Sequence, residues 1–208
     1  MKRQGHDSRN SGWQQTGTRI CAAFVLTAAL TFASCESRQE AAPGAAAEDA
    51  GEAGTPMELP QEELAADYAT LTGLVAEART DAIFQRFLPQ QQASVAAVGN
   101  RLTVTALGDD PVLLLPPFAS GKRFMIEAVV NSPVETTAQL FYLTTGQSKY
   151  RDGQSQIAPL KPGRNVIYFR VDALNVIDPI RFDPAQVAGE YTIDSMVAMG
   201  LPPAATQR

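Results

Sequence analysis

The stretch Pro179–Asp194, PIRFDPAQVAGEYTID, contains the signals that decide the fold. An aspartate before a proline is typical of a turn, because its carboxylate accepts backbone N–H groups and the proline fixes φ. Arg181 and Asp183 are two residues apart and so point to the same side of a strand. We therefore interpret Arg181, Asp183, Pro184 and Gly189 as the structural loop of a closing strand-turn-strand unit.

Short runs rich in β-branched and aromatic residues precede this hairpin, from about residue 93 onward. Turn-forming residues separate these runs, for example Gly108–Pro111, Asp152-Gly153 and Lys161–Gly163. About eight such strands with no helix between them predict two packed antiparallel sheets. The sequence therefore predicts a mainly β fold, a jelly-roll-like antiparallel β-sandwich over residues 91–202.

The order GDDPVLLLP, FMIEAVVNS, AQLFYLTTGQSKY, SQIAPLKPGRNVIYFRV and IRFDPAQVAGEYTIDSMVA carries a resemblance over residues 98–201. It resembles bacterial β-sandwich modules that occur beside carbohydrate-active enzymes and in polysaccharide glycosyltransferases. Met196 stands where that family has a branched aliphatic residue. The resemblance implies a galactose-binding-like jelly roll of the carbohydrate-binding-module type, and it does not name a ligand.

The N-terminus has the pattern of an export signal, predicted over residues 1–34. Four basic residues precede an uncharged run of 15 residues, Ile20–Ser34. That run is shorter than the roughly 20 residues that a membrane-spanning helix needs.

The sequence TFASC, ending at Cys35, resembles a bacterial lipobox, although Phe32 stands where leucine is usual. The resemblance implies lipidation of Cys35 and anchoring in the bacterial envelope. Glu36 favours the outer membrane over the inner one. The alternative is an ordinary signal peptide that is cut elsewhere.

Residues 35–60, rich in Ala, Glu, Gly and Pro, predict a disordered tether because they offer little to bury. Residues 61–90 predict a helical segment: Leu64, Tyr68, Leu71 and Val75 share one helical stripe, and a second short helix follows Thr80. Two alternatives stay open for this segment, packing on the sandwich or binding a partner. Residues 203–208 form a tail.

Composition excludes several kinds of chemistry in the exported chain. His6 and Cys21 fall within the predicted signal, and Cys35 is the predicted lipid site, so no catalytic triad or zinc site can be assembled. The remaining 13 basic and 21 acidic residues give a formal charge of −8, which argues against a nucleic-acid partner. We expect no enzyme activity.

The candidate ligand-binding residues are Tyr142, Tyr150, Arg151, Asp152 and Gln154. Aromatic rings and planar polar groups suit sugar binding, and the segment around Tyr150 is loop-like. Phe141 and Tyr142 point to opposite faces, so one of them is in the core. The alternative is that the tyrosines only cover the edge of the sandwich.

Four aspartates are candidate calcium ligands: Asp109, Asp110, Asp183 and Asp194. Calcium takes six to eight oxygens, and these residues lack an EF-hand spacing. A structural turn at Asp183 is therefore favoured over a metal, and no cofactor is expected beyond this possible structural calcium.

These patterns leave three hypotheses for function. The first is a membrane-anchored lipoprotein whose non-catalytic module binds glycan or polysaccharide. The second is an envelope protein-interaction or structural module that uses the helical segment or an open sheet edge. The third, least favoured, is a polysaccharide hydrolase, which needs two carboxyl groups across a cleft.

Overall fold

The computed structural model describes residues 54–203. The predicted signal, Cys35, residues 35–53 of the tether and residues 204–208 of the tail lie outside the described residues. In chain order the elements are β1 (Met57–Glu58), α1 (Gln61–Ala69), β2 (Leu74–Ala78), α2 (Asp81–Phe84), β3 (Leu88–Pro89), β4 (Ala93–Ala97), β5 (Leu102–Ala106), β6 (Leu113–Leu114), β7 (Phe124–Ser132), β8 (Thr136–Thr144), a 3-10 turn (Asp152–Gln154), β9 (Ser155–Leu160), β10 (Gly163–Val171), β11 (Val176–Asp183) and β12 (Gly189–Gly200).

The strands form two sheets that pack face to face. Sheet A has the order β1-β9-β8-β11-β6-β3, and sheet B has the order β10-β7-β12-β5-β4. The strand β2 pairs with the second half of β12. All pairings are antiparallel except β1 with β9. The jelly-roll-like antiparallel sandwich expected from the sequence is confirmed.

The core lies between the sheets because alternate residues of each strand point inward. In β7 the inward residues Phe124, Ile126, Ala128 and Val130 are fully buried. The rings of Phe169 on β10 and Phe182 on β11 meet edge-to-face with centroids 6.1 Å apart, so one aromatic pair joins the two sheets.

Helix α1 packs on the outer face of sheet B. Leu64 is buried, the rings of Tyr68 and Tyr168 are 5.4 Å apart, and the Tyr68 hydroxyl donates to the Val197 carbonyl at 3.2 Å. Gln61 donates to the Tyr168 carbonyl and accepts from the Tyr168 amide. The structure thus answers the question left open for this helix: it packs on the sandwich.

The boundaries predicted upstream of residue 91 need correction. Within the predicted helical segment 61–90, residues 74–78 form β2 rather than helix, because pairing with β12 satisfies their backbone groups. Residues 57–58, assigned to the tether, pair with β9. The sandwich therefore recruits strands that precede its predicted start.

Three of the four residues assigned to the structural loop are buried or paired in the structure. Asp183 and Pro184 are buried, and Arg181 bonds Asp183. Gly189 has no left-handed φ, and a Cβ there would lie 3.5 Å from Pro133 and Tyr191, an ordinary contact. Glycine is thus not sterically required at position 189.

Among residues 54–203, no helix has the length and apolar character to cross a membrane.

Candidate functional site

An open cleft of about 580 Å³ lies on the outer face of sheet A. Strands β8 and β11 form its floor, and the segments 109–110 and 149–152 form its walls together with Gln186. Its lining residues are polar or charged except for two aromatic rings: Asp109, Asp110, Gln139, Phe141, Lys149, Tyr150, Arg151, Asp152, Arg181, Asp183 and Gln186.

The centre of the floor is an ion pair between Arg181 and Asp183. The guanidinium Nε donates to Asp183 Oδ1 at 2.8 Å, and Nη2 donates to Oδ2 at 2.6 Å. The two side chains are 19% and 6% exposed, respectively. A fork-to-fork pair of this kind fixes the plane of both groups.

Two further contacts hold the guanidinium in place. Nη2 also donates to Asp110 Oδ1, and the guanidinium carbon lies 4.5 Å from the centre of the Phe141 ring. The ring face attracts the cation, so Phe141 both supports and orients Arg181. No hydrogen bond from Nη1 of Arg181 is found among residues 54–203.

Burial and pairing set the charge of the floor. Burial raises the pKa of Asp183 above its ordinary value, although the hydrogen bonds and the charge of Arg181 oppose this shift. Burial lowers the pKa of Arg181, but the hydrogen bonds that it donates to Asp183 and the charges of Asp183 and Asp110 outweigh burial and raise that pKa overall. Because the guanidinium is charged at any physiological pH, its charge favours the ionised form of Asp183 and works against the effect of burial.

Tyr150 forms one wall of the cleft. Its hydroxyl donates to the Pro179 carbonyl at 2.8 Å, and its ring meets Phe141 edge-on with centroids 6.2 Å apart. Burial raises the pKa of Tyr150, so the phenol stays neutral and able to donate. The half-buried ring is held by both contacts.

A second polar network extends the floor away from Arg181. Gln139 is buried; its amide donates to Ser155 Oγ at 2.8 Å and to Asp152 Oδ1 at 3.4 Å. The amide of Gln186 reaches Gln139 Oε1 at 3.5 Å. Amide, guanidinium and carboxylate groups therefore lie in sequence across one sheet face.

The structure brings together three of the five residues predicted to bind a ligand. Tyr150, Arg151 and Asp152 line the cleft. Tyr142 packs against the core on the opposite side of sheet A, because neighbouring residues of a strand point to opposite faces. Gln154 closes the 3-10 turn and is outside the lining.

The four aspartates considered as calcium ligands do not converge. Asp109, Asp110 and Asp183 line the cleft. Asp194 lies on sheet B, where it accepts from Asn131 at 3.0 Å and pairs with Arg101 at 2.7 Å. Among residues 54–203, no group of three or more metal-ligating side chains is placed to hold an ion.

Four cleft residues were not predicted from the sequence: Gln139, Phe141, Lys149 and Gln186. Arg181 was predicted only as a loop residue, and Asp183 as a loop residue and candidate calcium ligand, so neither was predicted to bind a sugar. One signal was present in β8. The polar Gln139 shares a face with Phe141, whereas Ala138 and Leu140 share the other face with Tyr142. A polar residue in an otherwise apolar strand marks the outer face, and this parity favours Phe141 for the cleft.

No protein-family model matches the chain, and no curated protein matches it. Among solved structures, it is similar to a Clostridium thermocellum endo-1,4-β-D-xylanase 10B with CBM22-1 and GH10 modules, complexed with xylohexaose. The TM-score is 0.51 at 10% sequence identity, and the match covers 62% of this chain and 29% of that chain.

Two isolated modules are less similar. The apo CBM1 of BiXyn10A matches with a TM-score of 0.47 at 10% identity, over 62% of this chain and 99% of that one. The second N-terminal cellulose-binding domain of Cellulomonas fimi β-1,4-glucanase C matches with 0.46 at 12% identity, over 64% and 97%. Identities this low define the fold alone: a β-sandwich of the kind found in carbohydrate-binding modules.

Proposed function

We propose that this protein is a non-catalytic glycan-binding module and that the cleft on sheet A is its binding site. The observation that carries the proposal is the row of planar polar groups along an open sheet face, beside the half-buried ring of Tyr150. Sugars present closely spaced hydroxyls that both donate and accept, and such groups pair with fixed amides, guanidinium and carboxylates. The fold of carbohydrate-binding modules supports the same function.

The preorganisation of the floor favours recognition. Arg181 and Asp183 hold each other, so neither side chain must lose much rotamer freedom when a ligand binds. The unpartnered Nη1 of Arg181 donates to a sugar oxygen, and Asp109 and Lys149 are exposed groups at the rim.

The same contacts argue against hydrolysis. Asp110 and Asp183 are both ion-paired with the guanidinium of Arg181. A general acid must keep its proton near neutral pH, and the charge of Arg181 opposes this at Asp183, whereas burial acts in the other direction. We therefore infer binding without turnover.

The test is calorimetric titration of the full-length chain with xylohexaose, cellohexaose, chitohexaose and an oligogalacturonate. Lys149 and Gln186 lie at the rim and take little part in the fold, so Lys149→Ala with Gln186→Ala should weaken binding about tenfold while the melting temperature is kept. Lys161→Ala, outside the cleft, is the matched control. Binding unaffected by the rim double variant places the ligand elsewhere and refutes the site. Absence of binding across a wider glycan panel, with an envelope protein recovered by pull-down, favours the interaction module instead.

We further propose that the module is exported and anchored in the bacterial envelope through a lipid on Cys35, with the outer membrane favoured. The support is the pattern of residues 1–35. Metabolic labelling with a radioactive fatty acid should label the wild type and not Cys35→Ala. Equal labelling of both would contradict the anchor, and sucrose-gradient fractionation distinguishes the two membranes.

A further inference from the structure

A second pocket, separate from the cleft, opens at one end of the sandwich. Its volume is about 210 Å³, and eleven of its thirteen lining residues are apolar. Strands β2, β7 and β12 of sheet B line one side. Helix α2, the two residues Arg86 and Phe87 that follow it, and the segment 115–118 line the other side. The pocket shares no lining residue with the cleft on sheet A.

Small side chains on two paired strands create this space. Ala76 pairs with Ala198, and Ala78 pairs with Met196. A cross-strand pair of alanines leaves room that larger residues would fill, and protein cores are otherwise close-packed. Ile126 on β7 and Phe87 after α2 contribute buried apolar walls around that room.

The two charged residues of the pocket differ in their pairing. Glu77 accepts an ion pair from Arg79 at 2.6 Å. The exposed side chain of Arg86 has no acidic partner among residues 54–203, and only its backbone amide is bonded, to the Ile83 carbonyl. The pocket thus combines an apolar interior with one uncompensated positive charge.

We propose that this pocket binds a small aliphatic acid, with the unbranched chain inside and the anionic head paired with Arg86. A methylene group occupies roughly the 30 Å³ of a water molecule, so 210 Å³ holds about seven such groups. The matching ligand is therefore an acid of about eight carbons. The inference is independent of the glycan-binding function.

Straight-chain carboxylates from butanoate to dodecanoate test the proposal, titrated below their micelle concentrations into the full-length chain. Affinity should rise about fourfold per added methylene, the equivalent of 0.8 kcal/mol, up to about octanoate. It should then stop rising, because further groups remain in water. An affinity that does not depend on chain length overturns the apolar site.

Two variants test the head group and the interior separately. Arg86→Gln should weaken octanoate about fivefold, as expected for an exposed ion pair, and leave n-octanol unchanged. Arg164→Gln, an exposed residue on β10, is the matched control. Ala76→Phe should fill the pocket and abolish binding of both probes. Because Ala76 is only partly buried, this variant should fold, and its melting curve checks that it does.

Besides an affinity that does not depend on chain length, three results would overturn the proposal: octanoate that fails to bind the wild type, octanol weakened by Arg86→Gln as much as octanoate, or unchanged binding to a folded Ala76→Phe. If Ala76→Phe does not fold, the chain-length series and the titrations of octanoate and n-octanol into Arg86→Gln still test the proposal.

Discussion

Replacing Asp183 by alanine removes the carboxylate that takes three hydrogen bonds from Arg181. The side chain of Arg181, only 19% exposed in the wild type, would then keep Asp110 as its remaining acidic partner. Removing one partner of a buried pair costs about 3–5 kcal/mol, because the other charge is left without compensation. Asp110, 40% exposed, keeps its bond to Arg181 and reduces that cost.

We therefore expect Asp183→Ala to lower the free energy of unfolding by about 2–4 kcal/mol. For a domain of this size each kcal/mol moves the melting temperature by about 2–4 °C. Asp110→Ala should cost less, about 1 kcal/mol, because that pair is partly exposed. Asp109→Ala, an exposed neighbour in the same loop, should change stability by no more than about 0.5 kcal/mol.

Urea unfolding at neutral pH, followed by circular dichroism, measures all three variants. The double variant Arg181→Met with Asp183→Ala adds a sharper comparison. Removing the cation as well should restore part of the lost stability, since no buried cation is then left without Asp183, and the carboxylate of Asp110, 40% exposed, is solvated by water. This role of the ion pair is contradicted if Asp183→Ala loses no more stability than Asp109→Ala, or if the double variant is as unstable as the sum of its single changes.

Three further predictions concern other contacts. Asp178 accepts hydrogen bonds from the Ser120 hydroxyl and three backbone amides, and these bonds outweigh burial and lower its pKa below the ordinary 3.8. Asp178→Asn should therefore lower the free energy of unfolding by about 1 kcal/mol at neutral pH. The difference from wild type should shrink as the pH of the unfolding measurements is lowered through that pKa. Burial and the hydrogen bond to Glu127 raise the pKa of Tyr168 to about 12. The stability that the neutral Tyr168 phenol contributes is therefore complete below about pH 10 and is lost as the pH rises through about 12. Glu127→Gln should lower the pKa of Tyr168, as measured by ultraviolet absorbance titration. Gln61→Ala removes both bonds to the Tyr168 backbone, and hydrogen exchange at that amide should accelerate while the amide of Val166 stays unchanged as a control.

The sandwich could be predicted because the local sequence of its long strands has the composition and turn boundaries typical of strands. Residues 136–144 and 155–160 form β8 and β9 within the region predicted to be β, and turn-forming residues lie between the two strands. The alternation in β7 matches its buried face for the same reason.

Two strands lack such local signals. Ala93–Ala97 is built from alanine, serine and one valine, residues with little preference for strands as a group, and β4 forms because β5 supplies a partner. Residues 74–78 carry Leu, Val, Ala and Glu at spacings that also suit a helix. Only the distant β12, more than a hundred residues later, selects the strand.

The candidate site was predictable in part. The loop chemistry of Tyr150, Arg151 and Asp152 pointed to recognition, and all three line the cleft. Choosing between Phe141 and Tyr142 required knowing which face of β8 points outward, and the two rings gave no information on this. Arg181 joined the cleft because β11 pairs with β8, which places it beside Phe141 in register.

The closing hairpin has a double role that affects how any experiment on it must be interpreted. Arg181 and Asp183 stabilise the turn into β12, and they also form the floor of the cleft. A floor variant that stops binding sugar could do so through loss of fold alone, because the same ion pair supports both. Rim residues such as Lys149 and Gln186 avoid this difficulty, since their side chains face the cleft and contribute little to the core. A binding defect at the rim with unchanged stability therefore identifies recognition, whereas a defect at the floor identifies it only if the folded fraction is measured in the same experiment.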